Sequence, residues 1–356
     1  KTRDEDFVTR LFVTNTHTPI LFFTSRGKVY QLKCYKLPEA APQSLGKAMV
    51  NILPIEPEET INTVMPMPED ESSWADLNVM FATASGNVRR NNLSDFTNIK
   101  RNGKIAMKLQ DGDDLVGVLP CSDEDDVLMA TRNGKAIRFA ANAVRVFRGR
   151  DSTGVRGIRL LGGDRVVSMS IIADEDNEFI LSVTENGYGK RTPVNDYRRS
   201  GRGGQGVANI ETSKRNGQVM ASFAVVEEDQ LMLVTNMGQV IRIRVHGGEG
   251  DSIRIASRKT QGVRLFDVAD DESEKVVSAG LVRETDSDDD DDHEDNHTEG
   301  HEGDNNGDQA GDETAETAAN APNAPAPNIN DGQDDAADTP SDAENASNQA
   351  DNEDNQ

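Results

Sequence analysis

Four arginines each stand four residues after a glycine: Arg90 after Gly86, Arg138 after Gly134, Arg191 after Gly187 and Arg242 after Gly238, with Gln31 in the same place after Gly27. A guanidinium is planar, keeps its charge at physiological pH and offers donors in a fork that matches two phosphate oxygens. Repeated at one structural position, such residues form a row that a phosphate backbone could follow. The other fate of each is an ion pair with a carboxylate on a strand surface. Spacing alone does not separate the two.

Further cations lie in four long loops: Lys100, Arg101 and Lys104; Arg145, Arg148 and Arg150; Arg198, Arg199 and Arg202; Arg254, Arg258 and Lys259. The third loop, within YRRSGRGGQGV (197–207), adds Gly203, Gly204 and Gly206. Small residues there let a backbone approach phosphate closely. Asp and Glu gather in the other connections, as in PEDESSWAD, SDEDD, ADEDNE, VEEDQ and ADDESEK. Charge sorted by loop class yields a basic stripe, the footprint of a nucleic-acid-binding surface. The arginine row and these loop residues are therefore the candidate contacts to double-stranded DNA, with little sequence readout.

A repeated element must position them. Five segments share one pattern: ILFFTSRGKVYQL (20–32), VMFATASGNVRRN (79–91), VLMATRNGKAIRF (127–139), ILSVTENGYGKRT (180–192) and LMLVTNMGQVIRI (231–243). Each reads as four mostly apolar residues, then Thr-x-x-Gly, then a second strand-like run, which predicts a β-hairpin whose turn closes on a glycine at positive φ. Between hairpins come GKIAMKL (103–109), GVRGIRL (154–160), GVANI (206–210) and GVRLF (262–266), with GKAMVNIL (46–53) as a looser copy. Each is followed by another apolar strand. One repeat thus holds four strands of five to seven residues and no helix, the pattern of a propeller. FVTRLFV (7–13) reads as the closing strand of a blade whose hairpin is missing, so the expectation is five full repeats plus one partial blade in a chain that starts mid-blade.

The formal net charge of -25 is localised. Residues 284–356 carry 25 acidic side chains, no Lys or Arg and no aromatic residue, so they cannot bury enough apolar surface to order themselves. The expected organisation is a β domain over 1–283 and a disordered acidic tail over 284–356 that competes with DNA for the basic rim. Cys34 and Cys121 lie far apart without zinc-ligand neighbours and read as reduced thiols. His293, His297 and His301 fall within the tail and make poor metal ligands. No apolar run is long enough to span a bilayer and no signal-peptide pattern is present, which predicts a cytoplasmic chain with no membrane contact.

At EDFVTRLFVTNTHTPILFFTSRGKVYQLKCYKLPEA, GVRGIRL, TENGYGKRT and RKTQGV the chain resembles the C-terminal domain of the A chain of DNA gyrase, the type IIA topoisomerase, over essentially all of 1–283. The resemblance implies an all-β fold, a six-bladed β-pinwheel in which neighbouring blades exchange strands, with a rim that wraps DNA. The family's Gln-Arg-Arg-Gly-Gly-Lys-Gly box belongs upstream of Lys1. Ser200–Gly206 resembles a degenerate copy in which Arg202, Gly203, Gly204 and Gly206 match, while Ser200, Gly201 and Gln205 replace Gln, Arg and Lys. The family needs its box for full wrapping, so binding or bending without a complete wrap is expected here.

The implied partners are the gyrase B protein and the rest of the gyrase A protein in an A2B2 assembly, the isolated chain being monomeric. No cofactor is expected in this chain, ATP and Mg belonging elsewhere in the holoenzyme. No catalysis is expected either: Tyr30, Tyr35, Tyr188 and Tyr197 lie in no strand-cleaving motif, and no GxxxxGK[ST] loop is present. The alternatives are the corresponding domain of topoisomerase IV, or a protein-binding propeller, which would present exposed apolar loop tips.

Overall fold

A computed structural model of the chain describes residues 14–40, 44, 46–247, 252–267 and 274–282. FVTRLFV and the acidic tail, with the partial blade and the tail histidines, lie outside the described residues. The five predicted hairpins are present. They are β1 (Pro19–Thr24) with β2 (Lys28–Lys33), β4 (Asn78–Thr83) with β5 (Asn87–Asn92), β8 (Asp126–Thr131) with β9 (Lys135–Ala140), β13 (Phe179–Thr184) with β14 (Tyr188–Pro193), and β17 (Gln230–Thr235) with β18 (Val240–Arg244).

The repeated threonine and glycine both serve the turn. Each glycine N–H donates to the threonine carbonyl, and in four hairpins the threonine hydroxyl accepts from the residue after the glycine, as from Lys135 to Thr131 at 3.1 Å. Gly134 sits at φ 79°, and a Cβ there would lie 2.1 Å from the Ile210 carbonyl oxygen. Neither the dihedral nor the space admits a side chain.

Each hairpin recruits an inner strand from its own repeat: β3 (Ile61–Pro66), β7 (Leu115–Cys121), β12 (Val166–Ile172), β16 (Val219–Val225) and β20 (Val276–Val282). The outer edge comes from the repeat that follows. β6 (Lys104–Ile105) pairs with β2, β11 (Val155–Arg156) with β5, β15 (Val207–Ala208) with β9, and β19 (Val263–Arg264) with β14. β10 (Val146–Phe147) adds a parallel pairing to β5. The result is five all-β blades linked by exchanged edge strands. The inner strands β3, β7, β12, β16 and β20 are neighbours in that order.

The fourth strand is shorter than its sequence suggested, two residues rather than five to seven. After two ladder positions the chain turns inward, where the carbonyl of the turn glycine captures it: Gly27 accepts from Ala106 and Met107, Gly86 from Gly157 and Ile158, Gly134 from Asn209 and Ile210. Residues 46–53 form no edge strand but a short 3-10 turn at Met49–Asn51: the other edge strands each go to the hairpin of the repeat before, and no described hairpin precedes β1.

The hairpins read as continuous apolar runs because both faces are covered. β4 sends Val79 and Phe81 into the interface with the first blade and Met80 and Ala82 into that with the third. The first interface also holds Trp74 and an edge-on ring contact between Phe23 and Phe81 at 5.7 Å.

Candidate nucleic-acid interface

Three members of the arginine row are buried: Arg90, Arg138 and Arg191 are 2%, 6% and 4% exposed. This corrects the expectation that they face outward as a phosphate path. Their position on the second hairpin strand is roofed by the following repeat, which runs parallel to it at Arg90↔Val146, Arg138↔Arg199 and Arg191↔Ile255. Each guanidinium reaches past that roof to the next acidic turn: Arg90 to Asp123 at 2.6 Å, Arg138 to Glu175, Arg191 to Glu227 at 3.3 Å. Gln31 repeats the contact without charge, donating to Glu71 at 3.3 Å. Arg138 also pairs with Asp126 at 2.6 Å and donates to the carbonyls of Val194 and Tyr197. Arg242 differs: it is exposed on β18, whose outer side carries no described strand, and its Nε donates to Gln230.

The long loops have another geometry. After pairing parallel to a hairpin's second strand, the chain leaves the sheet, makes an excursion, and returns antiparallel through a glycine, as at Arg138↔Arg199 followed by Val207↔Ala136. The basic residues therefore ride on the outer edge of successive blades. Lys100, Arg101, Arg148, Arg198, Arg254 and Lys259 are exposed, and their side chains form no hydrogen bond or ion pair among the described residues. Arg145 is exposed and stacks on Phe147 at 4.2 Å.

The remaining loop cations are engaged. Arg199 pairs with Asp126 at 2.5 Å, sharing that carboxylate with Arg138. Lys104 is half-buried with Nζ 3.3 Å from the carbonyls of Asp95 and Thr97, and burial lowers its pKa, with Arg150 adding to the shift. Arg150, Arg202 and Arg258 each donate to a carbonyl of the preceding repeat. The glycine-rich loop is likewise pinned: Gly203 N–H donates to Gly157 at 2.6 Å, and Gly204 accepts from Arg159 at 2.8 Å. At Gly206, a Cβ would lie 2.3 Å from the Ala136 carbonyl oxygen, so this glycine accommodates its own sheet.

A family model described as the DNA gyrase C-terminal domain, beta-propeller, matches residues 18–66, 77–122, 125–173, 178–225 and 229–283, one segment per blade. The chain belongs to this DNA gyrase C-terminal domain family. Among curated relatives, the DNA gyrase A protein of Rickettsia bellii is 42% identical over 332 residues, covering 80% of this chain and 36% of the relative. That of Escherichia coli K12 is 44% identical over 271 residues, covering 76% of this chain and 30% of the relative. The chain thus spans about a third of the length of these relatives. The crystal structure of a topoisomerase IV C-terminal domain superposes with a TM-score of 0.70 at 25% identity, covering 79% of this chain and 84% of that one. A gyrase A C-terminal domain has the same fold, with a TM-score of 0.61 at 24% identity, covering 75% and 83%.

Within this gyrase family fold, two buried cations that sequence reasoning passed over hold the loops in place. Arg89 and Lys190, three residues after their turn glycines, are both 0% exposed. Arg89 donates to the carbonyls of Arg150 at 2.7 Å and Ser152 at 2.8 Å, while its neighbour Asn91 donates to those of Phe147 and Gly149. Lys190 donates to the Ser257 carbonyl, and Thr192 to that of Ala256 at 2.7 Å. The available signal was a cation at a strand position whose counterparts, Tyr30, Ile137 and Ile241, are apolar or aromatic. Arg156 and Arg159, beside the Gly203 loop, are further exposed cations of the rim.

Burial pulls the Lys190 pKa down to about 8. Its folded value lies below the unfolded one, so between about pH 8 and pH 10.5 the unfolded chain binds more protons and stability contributed here rises with pH. The denaturation midpoint of the wild type is expected to gain, relative to Lys190→Met, as pH goes from 7.5 to 9.5. Parallel pH profiles for the two chains would rule this out.

Proposed function

We propose that the chain binds double-stranded DNA along its outer rim through the phosphate backbone, bends or wraps it largely without regard to sequence, and so directs strand passage toward negative supercoiling in DNA gyrase. One observation carries the reading: exposed cations, unpaired among the described residues, recur at the outer edge of four successive blades, Lys100 and Arg101, then Arg148, Arg198, and Arg254 with Lys259. Phosphates that follow this edge release counterions, and that gain offsets a bending cost on the order of several kcal/mol over a few helical turns. The names of the relatives favour gyrase over topoisomerase IV. Strand cleavage and ATP hydrolysis, with Mg, belong to other parts of an A2B2 assembly. A cytoplasmic setting accompanies this reading, and no described helix is long and apolar enough to cross a membrane.

The acidic tail acts as an intramolecular competitor for the same edge, since 25 tethered carboxylates reach a high local concentration. A nicked circle ligated with the chain bound tests both statements. The intact chain is expected to shift the linking number or, with bending alone, to leave it unchanged while retaining binding. Ending the chain at Val282 is expected to raise affinity at low salt, with the gain shrinking as salt rises. No binding by either form at low salt would remove the reading; equal affinities would remove the competition.

A further inference from the structure

The joints between neighbouring basic loops share one contact that the arginine row did not suggest. Arg150, Arg202 and Arg258 each stand four residues before the glycine that begins an edge strand, Gly154, Gly206 and Gly262. Each donates an NH1 hydrogen to the carbonyl two residues after the preceding such glycine: Arg150 to Ile105 at 2.7 Å, Arg202 to Arg156 at 3.1 Å, Arg258 to Ala208 at 3.2 Å. The same contact thus recurs at three consecutive joints.

Other bonds cross the same joints. Gly203 donates to Gly157 and Arg159 to Gly204; Glu211 donates to Thr260 at 3.0 Å, and Asn216 Nδ2 to Gln261 at 3.1 Å. Arg202 engages a second acceptor, the Ala143 carbonyl, at 3.1 Å through Nε.

We propose that Arg150, Arg202 and Arg258 are positioning residues that clamp each basic loop to the blade before it and so set the spacing of the exposed cations along the rim. This rests on the DNA-binding reading above. The cations in question flank the clamps in sequence: Arg148 precedes Arg150, Arg198 precedes Arg202, and Arg254 and Lys259 bracket Arg258. A guanidinium holds a carbonyl through a rigid planar fork, and Arg202 holds two at once, which a compact ammonium on a flexible stem cannot reproduce. A protein that bends a duplex through phosphate contacts needs its cations at intervals that match the bent backbone, because deformation costs energy that misplaced charges do not return. Loosened joints therefore keep the charge and lose the curvature.

The test is the triple variant Arg150→Lys, Arg202→Lys and Arg258→Lys in the full chain, with Arg202→Lys alone as a milder companion and circular dichroism to confirm folding. Affinity for a duplex is expected to stay within about threefold of wild type with an unchanged salt slope, since the charge count is the same. The separation of the ends of the bound duplex, read by fluorescence energy transfer at saturation, is expected to increase. Without DNA, amide exchange at Gly203 and Arg159 is expected to quicken by at least about tenfold.

An unchanged end separation at full occupancy overturns the positioning role even if the melting temperature drops, since a purely structural contact would move stability alone. Should the wild type fail to bind DNA, the rim reading falls, and the exchange measurement still decides the clamp, unchanged rates refuting it.

Discussion

With Lys100, Arg101, Arg148, Arg198, Arg254 and Lys259 changed to glutamine, affinity for a DNA duplex is expected to fall by roughly 10⁴- to 10⁵-fold near 0.1 M salt, and the log–log salt slope to lose about five. The six are exposed and their side chains are unpaired among the described residues, so each is free to displace a counterion. The loss should be uniform across DNA sequences, because phosphate contacts carry no base information. Stability should change little, as expected of surface positions away from caps and networks. Titration of the variant at several salt concentrations is the measurement. A loss below about tenfold would move the DNA path away from these loops.

Arg138→Met is expected to act in the opposite way, lowering stability by about 3 kcal/mol while leaving the affinity of the folded chain nearly unchanged. Asp126 is 2% exposed and loses one of its two guanidinium partners, the carbonyls of Val194 and Tyr197 lose a donor, and Glu175 loses its ion pair. Arg199 still contacts Asp126, which keeps the cost from being larger. The denaturant midpoint gives the stability, and a double-mutant cycle with Asp126→Asn gives the coupling. If Arg138→Met instead weakened DNA binding as much as Arg198→Gln, with stability intact, the buried assignment would be wrong.

The tertiary structure separates the rim cations from the buried arginines, although much of the framework is legible in the sequence. The five Thr-x-x-Gly segments announced five hairpins because their turns are local: a threonine hydroxyl, a glycine at positive φ and two apolar runs interact within a dozen residues. The loops that carry exposed charge were legible too, since Lys100, Arg148, Arg198 and Arg254 lie in segments too polar and glycine-rich to be strands. Membership of the gyrase family was visible in the same motifs.

Strand alternation tells which residues share a face, but not whether another segment covers that face. Arg90, Arg138 and Arg191 therefore looked like surface residues, yet the edge exchanged from the following repeat roofs them and the next acidic turn neutralises them. The same exchange buries Arg89 and Lys190 beneath loops that begin more than fifty residues further along the chain, and lays Arg150, Arg202 and Arg258 against carbonyls of the repeat before. By itself, then, the sequence determined the hairpins, their number and the position of the basic loops. Only the tertiary structure decided which cations face water and which serve as counter-ions and clamps, because that depends on contacts between repeats, which local pattern does not encode.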